Sequence, residues 1–286
     1  MVSVIYTNFN DSRFLINCLS RMAKQQPDEL IIVDDHSTDR SIELIKELQK
    51  QYKIKLVIND GPQGIFNAFI KGCQSTDAEW VCSLGCDDEV APDFIDRMKN
   101  TMSKYPLTDI YTCNAKIIRE GKEYARVLLP FDAYLSPDYM VKICSAGLGK
   151  MINLIGMVIK KQVVLDMWEN GAKVSNTDFD AAFAYYMIFD KGLVNTAEKL
   201  ITFRSYPNSL GATGKTKEKK KAEAIAKNLF SKKPIVYNRA VKSKIWAFRY
   251  QFAQKIALWG IMKLPKWARE MFYRWFYQYH WSVEKL

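Results

Sequence analysis

The chain has 286 residues, of which 48% are hydrophobic and 26% are charged, and its formal net charge is +11. This composition is typical of globular proteins and excludes disordered and fibrous classes. The charge is uneven: residues 1–213 hold 24 basic and 27 acidic side chains, whereas residues 214–286 hold 18 basic and 4 acidic ones. We therefore expect a near-neutral body and a basic tail that meets an anionic surface, either a membrane or nucleic acid.

Short apolar runs alternate with helical patterns over the first 90 residues. The predicted strands cover 2–6, 30–33, 54–58 and 80–84, and the predicted helices cover 13–24, 41–52 and 65–74. The second run is apolar throughout, as expected for a strand with helices on both faces. This alternation predicts an α/β fold with a parallel sheet and right-handed crossovers.

The regular alternation of predicted strands and helices ends after Pro106. Residues 108–129 predict two strands around Glu120–Lys122, which would form a hairpin added to the sheet. The remaining predicted elements are a helix after Pro137, a strand near 151–160, helices at 161–168 and 178–190, and a strand at 198–204.

Several protein classes are excluded by what the sequence lacks. The first residues have no basic start or long apolar stretch, and no window holds 18 uncharged apolar residues, so we expect neither a secretory signal nor a transmembrane helix. The six cysteines form no CxxC pair and only two histidines accompany them, which argues against a zinc site. We expect reduced, buried cysteines in a cytoplasmic protein.

Polar clusters follow the first, second and fourth predicted strands, at Thr7–Asn10, Asp34–Ser37 and Asp87–Asp88. In an open parallel sheet, ligands bind beyond the carboxyl ends of the strands. No GxGxxG or GxxxxGK motif is present, so neither a dinucleotide site nor a P-loop is expected. Because carboxylates repel a diphosphate unless a hard cation stands between them, these clusters predict a nucleotide-diphosphate site that uses Mn²⁺ or Mg²⁺.

Four segments together resemble glycosyltransferase family 2, the inverting enzymes with the GT-A fold. They are Val2–Asn10, IIVDDHSTDRS from Ile31, GIFNAFIKG from Gly64 and LGCDDEVAPDF from Leu84. The resemblance implies a Rossmann-like, mostly parallel central sheet flanked by helices. It also implies a catalytic domain at 1–213, with a nucleotide-sugar-binding half at 1–105 and an acceptor-side half at 106–213. Residues 214–286 would form a helical basic and aromatic extension.

The resemblance also implies which residues bind the nucleotide. Thr7, Asn8 and Phe9 would line the base pocket, and Asp35, or Asp34 beside it, would bind the uracil or ribose. The alternative for Thr7 and Asn8 is a simple turn, and the alternative for Asp34 and Asp35 is a turn with a helix N-cap.

The LGCDDEVAPDF segment is the expected metal site. Asp87 matches the last carboxylate of the family's DxD motif, which ligates the metal, and Asp88 would help to orient that shell. Gly85 stands where the motif has its first aspartate, which should weaken metal binding. Lys71 is a candidate phosphate contact, with solvated helix surface as its alternative. Helix capping is the alternative for the two aspartates.

An inverting transfer also needs a base that removes the proton of the acceptor hydroxyl. His36 lies in the nucleotide loop and His280 in the tail, so a carboxylate is expected. Residues 174–180 resemble the acidic motif before the acceptor-side helix of the family and favour Asp178 as the base, with Asp180 as runner-up. The alternative for Asp178 is a structural acid favoured by the helix dipole.

The tail predicts two amphipathic helices separated by Pro265. The apolar positions are Ile245, Phe248, Phe252, Ile256 and Trp259 in the first helix, and Trp267, Met271 and Trp275 in the second. Flanking lysines and arginines favour a peripheral membrane surface through residues 240–281. Packing on the body or on a second subunit is the alternative. Nucleic acid is disfavoured because nothing resembles a base-reading module.

These features predict an inverting glycosyltransferase on the inner face of the cytoplasmic membrane. It would move a sugar from a nucleotide-sugar, expected to be a UDP-sugar, to a lipid-linked sugar or glycan during synthesis of a bacterial surface polysaccharide such as O-antigen or capsule. One alternative is a catalytically silent nucleotide-sugar-binding subunit that recruits a partner through its tail. Another is a basic protein that binds nucleic acid.

Overall fold

A computed structural model of the chain describes residues 1–137, 140, 155–169, 191–205 and 284–285. The strands are β1 (Val2–Asn8), β2 (Glu29–Asp34), β3 (Lys55–Ile58), β4 (Trp80–Gly85), β5 (Glu89–Val90), β6 (Ile110–Arg119), β7 (Lys122–Arg126), β8 (Ala133–Leu135), β9 (Val158–Lys160), β10 (Leu193–Ser205) and β11 (Glu284–Lys285). The helices are α1 (Ser12–Ala23), α2 (Ser41–Gln49), α3 (Ile65–Gln74), α4 (Phe94–Lys104) and α5 (Lys161–Glu169).

These strands form one mixed sheet in the order β11-β8-β10-β6-β9-β4-β1-β2-β3, with β5 paired to β10 and β7 paired to β6. Strands β3, β2, β1 and β4 pair in parallel, and so do β6 and β10. Strand β9 lies antiparallel between β4 and β6, so those two strands share one direction. The carboxyl ends of β1, β2, β3, β4, β6 and β10 therefore lie at the same edge of the sheet.

Helices cover both faces of the first strands. On one face, the buried α1 residues Leu15, Leu19 and Met22 join a core cluster with Val4 and Tyr6 of β1. On the other face, α3 contacts β1 and β2. This two-sided burial explains why the strand sequences are apolar throughout rather than alternating.

The predicted state of the cysteines is confirmed for the five that the structure describes. Cys18, Cys73, Cys82, Cys86 and Cys113 are free and buried. Burial raises the pKa of the Cys113 thiol to about 12, and it raises the pKa of the Cys73 and Cys82 thiols further. Thiols of this kind are inert because the thiolate is the reactive form. Cys144 lies outside the described residues.

The α/β fold, the parallel first half of the sheet and the hairpin at 108–129 are confirmed. Helix α2 ends three residues before its predicted end, and β10 begins five residues before its predicted start because residues 193–195 pair with β8. Two-residue β5 and three-residue β8 were not predicted. Within the described part of the chain, no helix is long and apolar enough to cross a membrane. The predicted helices at 178–190 and in the tail lie outside the described residues.

Gly72 shows how closely α3 approaches the sheet. A Cβ atom at this position would lie 2.5 Å from Ile5 Cγ2 and 3.2 Å from Val33 Cγ2. Gly72→Ala should therefore lower the free energy of unfolding by about 1–3 kcal/mol through overpacking. The higher helix propensity of alanine relative to glycine should offset only part of this loss. Urea unfolding of the variant measures this effect. Gly61→Ala is the matched control, since nothing lies within 4 Å of that position, and equal stability of both variants would contradict the close packing.

Candidate functional site

Asp34, at the end of β2, joins the polar loops that follow β1 and β2. Its carboxylate accepts hydrogen bonds from Asn8 Nδ2 (2.7 Å) and from the Ser37 backbone N–H and hydroxyl (both 2.8 Å). Asp34 is fully buried and Asn8 nearly so. The structure thus brings together Asn8 and Asp34, two of the predicted nucleotide-binding residues. The Asp34 carboxylate, however, accepts its hydrogen bonds from other residues of the protein.

The same two loops are connected again at the starts of α1 and α2. Asn10 has a φ of 55°, and its Oδ1 accepts a hydrogen bond of 2.8 Å from the Thr38 backbone N–H. The Asp39 carboxylate accepts hydrogen bonds from the backbone N–H groups of Ser12 (3.0 Å) and Ser41 (2.9 Å). Burial raises the pKa of Asp39, but hydrogen bonds from Ser41 and Ser12 outweigh it, so the pKa is lowered overall. One ionised carboxylate therefore caps both helices.

Asp35 connects β2 to the loop that precedes α3. Its carboxylate accepts hydrogen bonds from Asn59 Nδ2 (2.6 Å), from the Gln63 backbone N–H (2.9 and 3.0 Å to its two oxygens) and from the Gly64 backbone N–H (2.7 Å). Only 4% of Asp35 is exposed. Asp35 therefore stabilises this loop as a buried hydrogen-bond acceptor.

The other predicted nucleotide-binding residues differ in their positions. Thr7 is buried near the end of β1, whereas Phe9, directly beyond the strand, is 49% exposed. Lys71 lies in the last turn of α3, and its Nζ donates a hydrogen bond of 3.3 Å to the Ile58 carbonyl of β3. Strand β3 is three strand spacings from β4, roughly 14 Å, so the structure does not bring Lys71 next to Asp87.

Asp87 and Asp88 fold back over Gly85 at the end of β4. A Cβ atom on Gly85 would lie 2.9 Å from Asp87 Oδ1 and 3.1 Å from Asp88 Oδ2. The two carboxylates therefore converge on the point that the side chain of a first DxD aspartate would occupy. With glycine at this position, the turn brings two carboxyl groups close together.

The surroundings of Asp88 come from a distant part of the chain. Asp88 is 7% exposed and accepts a hydrogen bond from the Arg204 backbone N–H of β10. Burial, together with the charge of Asp87, raises the pKa of Asp88 well above its ordinary value, and the Arg204 contacts only partly oppose this rise. The Arg204 guanidinium itself pairs with Glu89, which also lies 3.5 Å from Arg21.

Asp11 extends the negative charge beside this turn. Burial raises the pKa of Asp11, the charge of Asp87 raises it further, and Arg13, 3.9 Å away, opposes the rise. Strand pairing of Thr7 with Gly85 explains why the loops that carry Asp11 and Asp87 are neighbours. No group of three histidine, cysteine, aspartate or glutamate side chains that could hold a metal ion occurs among the residues that the structure describes.

Sequence reasoning missed two contributors to this site. Asn59 directly follows β3, so the strand-end rule that singled out the other clusters would have identified it. Glu89 directly follows Asp87–Asp88, but its pairing with β10 depends on sheet topology that no local pattern shows. The predicted bases Asp178 and Asp180 lie outside the described residues, and their roles stay predictions.

The raised pKa of Asp88 gives a testable pH dependence. The folded protein keeps a proton on Asp88 to higher pH than the unfolded chain, in which aspartate titrates near pH 4. This group therefore makes the free energy of unfolding fall as pH rises from about 4 towards the raised pKa. Asp88→Asn should lose less stability than the wild type over that range in urea unfolding with a chelator present. Asp96→Asn, at an exposed position on α4, is the control, and parallel curves for wild type and Asp88→Asn would contradict the assignment.

Comparison with known proteins identifies relatives that match part of the chain. A putative glycosyltransferase EpsH of Bacillus subtilis is 30% identical over 115 residues, covering 40% of this chain and 33% of that protein. A dolichol-phosphate mannosyltransferase of Pyrococcus furiosus is 29% identical over 106 residues, covering 35% of this chain and 30% of that protein. The matches thus span about a third of the length of these curated relatives.

Similar structures support the same fold. S. aureus TarS 1–349 in complex with UDP-GlcNAc matches with a TM-score of 0.62 at 12% identity, covering 80% of this chain and 66% of that one. The family described as glycosyl transferase family 2 matches residues 3–157, which is more than half of the chain. This match includes every described strand-end cluster from Thr7 to Asp88, and the chain belongs to glycosyl transferase family 2.

Proposed function

We propose that this protein is an inverting glycosyltransferase that takes a sugar from a UDP-sugar and transfers it to a lipid-linked sugar or glycan during synthesis of a bacterial surface polysaccharide. The observation that carries the proposal is the convergence of Asp87 and Asp88 at the carboxyl end of β4, beside the polar loops of β1 and β2. Family membership supports glycosyl transfer, and the UDP-GlcNAc complex of TarS supports a uridine donor.

The donor lies along the carboxyl edge of the sheet in this proposal. Its diphosphate is at the end of β4, and its nucleoside extends over β1 and β2, with the base against the exposed Phe9 ring. Thr7 and Asn8 form the floor of that pocket from β1. Asp34 and Asp35 support it indirectly, because their hydrogen bonds hold the two loops that form its walls. Lys71 supports the end of β3 rather than the diphosphate.

A divalent cation, Mn²⁺ or Mg²⁺, fits the two converging carboxylates. Oxygen ligands suit hard cations, and bringing Asp87 and Asp88 together in a largely buried turn costs electrostatic free energy that a cation would offset. Because the described residues provide no complete cage, the remaining ligands would come from the donor's diphosphate and water. When bound, the cation supplies positive charge that stabilises the departing nucleoside diphosphate.

The base proposed for the acceptor hydroxyl is Asp178, with Asp180 as runner-up. A carboxylate on the face of the sugar opposite the diphosphate would accept the proton as the acceptor oxygen attacks the anomeric carbon, which accounts for inversion. The proposed division of the chain follows from this: residues 1–105 hold the donor, 106–213 provide the acceptor side, and 214–286 provide the basic tail.

The role of Asp87 is tested by Asp87→Asn. Replacing a charged ligand by a neutral amide should lower transfer from UDP-sugars in the presence of Mn²⁺ by about 100-fold and should abolish the enhancement of UDP binding by Mn²⁺. Steady-state kinetics with a panel of UDP-sugars and titration calorimetry with UDP measure both effects. Asp96→Asn is the matched control, and unchanged activity and metal dependence in Asp87→Asn would refute the metal site.

The same experiment decides between the proposed enzyme and a catalytically silent subunit, the alternative that Gly85 favours. A silent subunit would bind UDP and show no transfer or hydrolysis with any donor in the panel. Turnover that depends on Asp87 would exclude this alternative.

We propose peripheral membrane association through residues 240–281. Reversing three tail charges by Lys266→Glu, Arg269→Glu and Arg274→Glu should release the full-length protein from vesicles with anionic lipids, because each basic residue near such a surface contributes about 1 kcal/mol. Vesicle flotation measures the bound fraction. The matched control reverses three exposed lysines of the body, Lys24, Lys46 and Lys53, and equal flotation of the two variants would remove the assignment to the tail.

A further inference from the structure

Glu89 lies at the centre of a charged cluster beside the Asp87–Asp88 turn. Its carboxylate pairs with the Arg204 guanidinium and lies 3.5 Å from Arg21 Nη1. These three side chains line one small pocket together with Asp87 and Asp88. The function proposed above uses the two aspartates and gives no role to the third carboxylate or to the two guanidinium groups.

Strand pairing explains why the Arg204 side chain reaches Glu89. Strand β5 pairs antiparallel with β10, and Thr202 of β10 lies opposite Glu89. Side chains two positions apart on a strand lie on the same face, so Arg204 is the diagonal neighbour of Glu89. The Glu89 and Arg204 side chains are 24% and 39% exposed, so their ion pair is partly removed from water. The sheet therefore holds the guanidinium against Glu89.

Arg204 also contacts the expected metal site. Its backbone N–H donates a hydrogen bond to Asp88, and the charge of its guanidinium partly opposes the rise in the pKa of Asp88. A guanidinium binds carboxylate oxygens through two parallel hydrogen bonds, and a divalent cation binds the same oxygens. A guanidinium placed on Asp87 or Asp88 would therefore compete with the cation for its ligands.

We propose that Glu89 is a positioning residue, which holds the Arg204 guanidinium away from Asp87 and Asp88 and so keeps both carboxylates open to the divalent cation. This role of Glu89 rests on the metal-assisted transfer proposed above. Glu89 is not itself a metal ligand in this arrangement, because its carboxylate pairs with the guanidinium. Without Glu89, Arg204 pairs with the two aspartates, and the cation has to displace it.

The first measurement is Mn²⁺ binding by the full-length protein in the presence of UDP, followed by the electron paramagnetic resonance signal of unbound Mn²⁺. Glu89→Met keeps the length of the side chain and removes its acceptor oxygens. This variant should raise the Kd for Mn²⁺ about tenfold, the order expected for one hydrogen bond between charged groups. Glu89→Gln keeps one acceptor oxygen, so its increase should be smaller.

Substitutions of the arginines separate competition from the simple loss of a negative charge near the metal. Arg204→Gln should bind Mn²⁺ at least as tightly as the wild type, and Glu89→Met should have almost no effect in the Arg204→Gln background. Arg21→Gln removes the same charge from the other arginine beside Glu89 and is the matched control. In that background, Glu89→Met should still weaken Mn²⁺ binding.

Two results would overturn the role of Glu89. One is an equal loss of Mn²⁺ affinity on Glu89→Met in all three backgrounds, and the other is weaker Mn²⁺ binding by Arg204→Gln than by the wild type. If Glu89→Met does not fold, Glu89→Gln in the same backgrounds gives the same comparison.

The proposed metal site is tested separately by the wild type and Asp87→Asn. Unchanged Mn²⁺ binding by Glu89→Met, beside a loss in Asp87→Asn, would overturn the role of Glu89 and leave the metal site in place. Failure of the wild type to bind Mn²⁺ with UDP would overturn both.

Discussion

The common direction of six strands is the constraint on which the site depends. Because β9 is the antiparallel strand inserted between β4 and β6, the carboxyl ends of β4 and β10 still point the same way. Their loops meet at one edge, and residues more than 100 positions apart in the chain, such as Asp88 and Arg204, become neighbours. The apolar interior of β1 and β2 makes this arrangement stable, since helices bury both of their faces.

At that edge, carboxylates have two different roles. Asp34, Asp35 and Asp39 accept hydrogen bonds from backbone and side-chain donors, so they hold loops in place. Asp87 and Asp88 instead face each other over Gly85, and Asp88 retains a raised pKa because burial and its neighbour outweigh Arg204. The first group holds the two loops in place, whereas the second group brings two carboxyl groups together at the point where the proposed function places a cation.

Sequence patterns predicted the first half of this fold well because its strands are local and two-sided. Leu30–Val33 could be recognised as a buried strand without knowing its partners. In contrast, β10 pairs irregularly with β6, with register shifts near Lys199. Its first residues form a strand because they pair with β8, so no local periodicity indicated where β10 begins. The strand-end rule singled out Asp34 and Asp35, which the structure places at the carboxyl end of β2. The rule could not show that Asn59, Gln63 and Gly64 donate hydrogen bonds to the Asp35 carboxylate, because these contacts depend on how distant loops pack together.

The most direct test of this account is a crystal structure of the full-length protein with UDP and Mn²⁺. The proposed function predicts a metal ion between the diphosphate and Asp87, with the uracil ring against Phe9. A nucleotide bound away from the carboxyl ends of β1, β2 and β4, or a diphosphate that contacts neither Asp87 nor a metal ion, would contradict it.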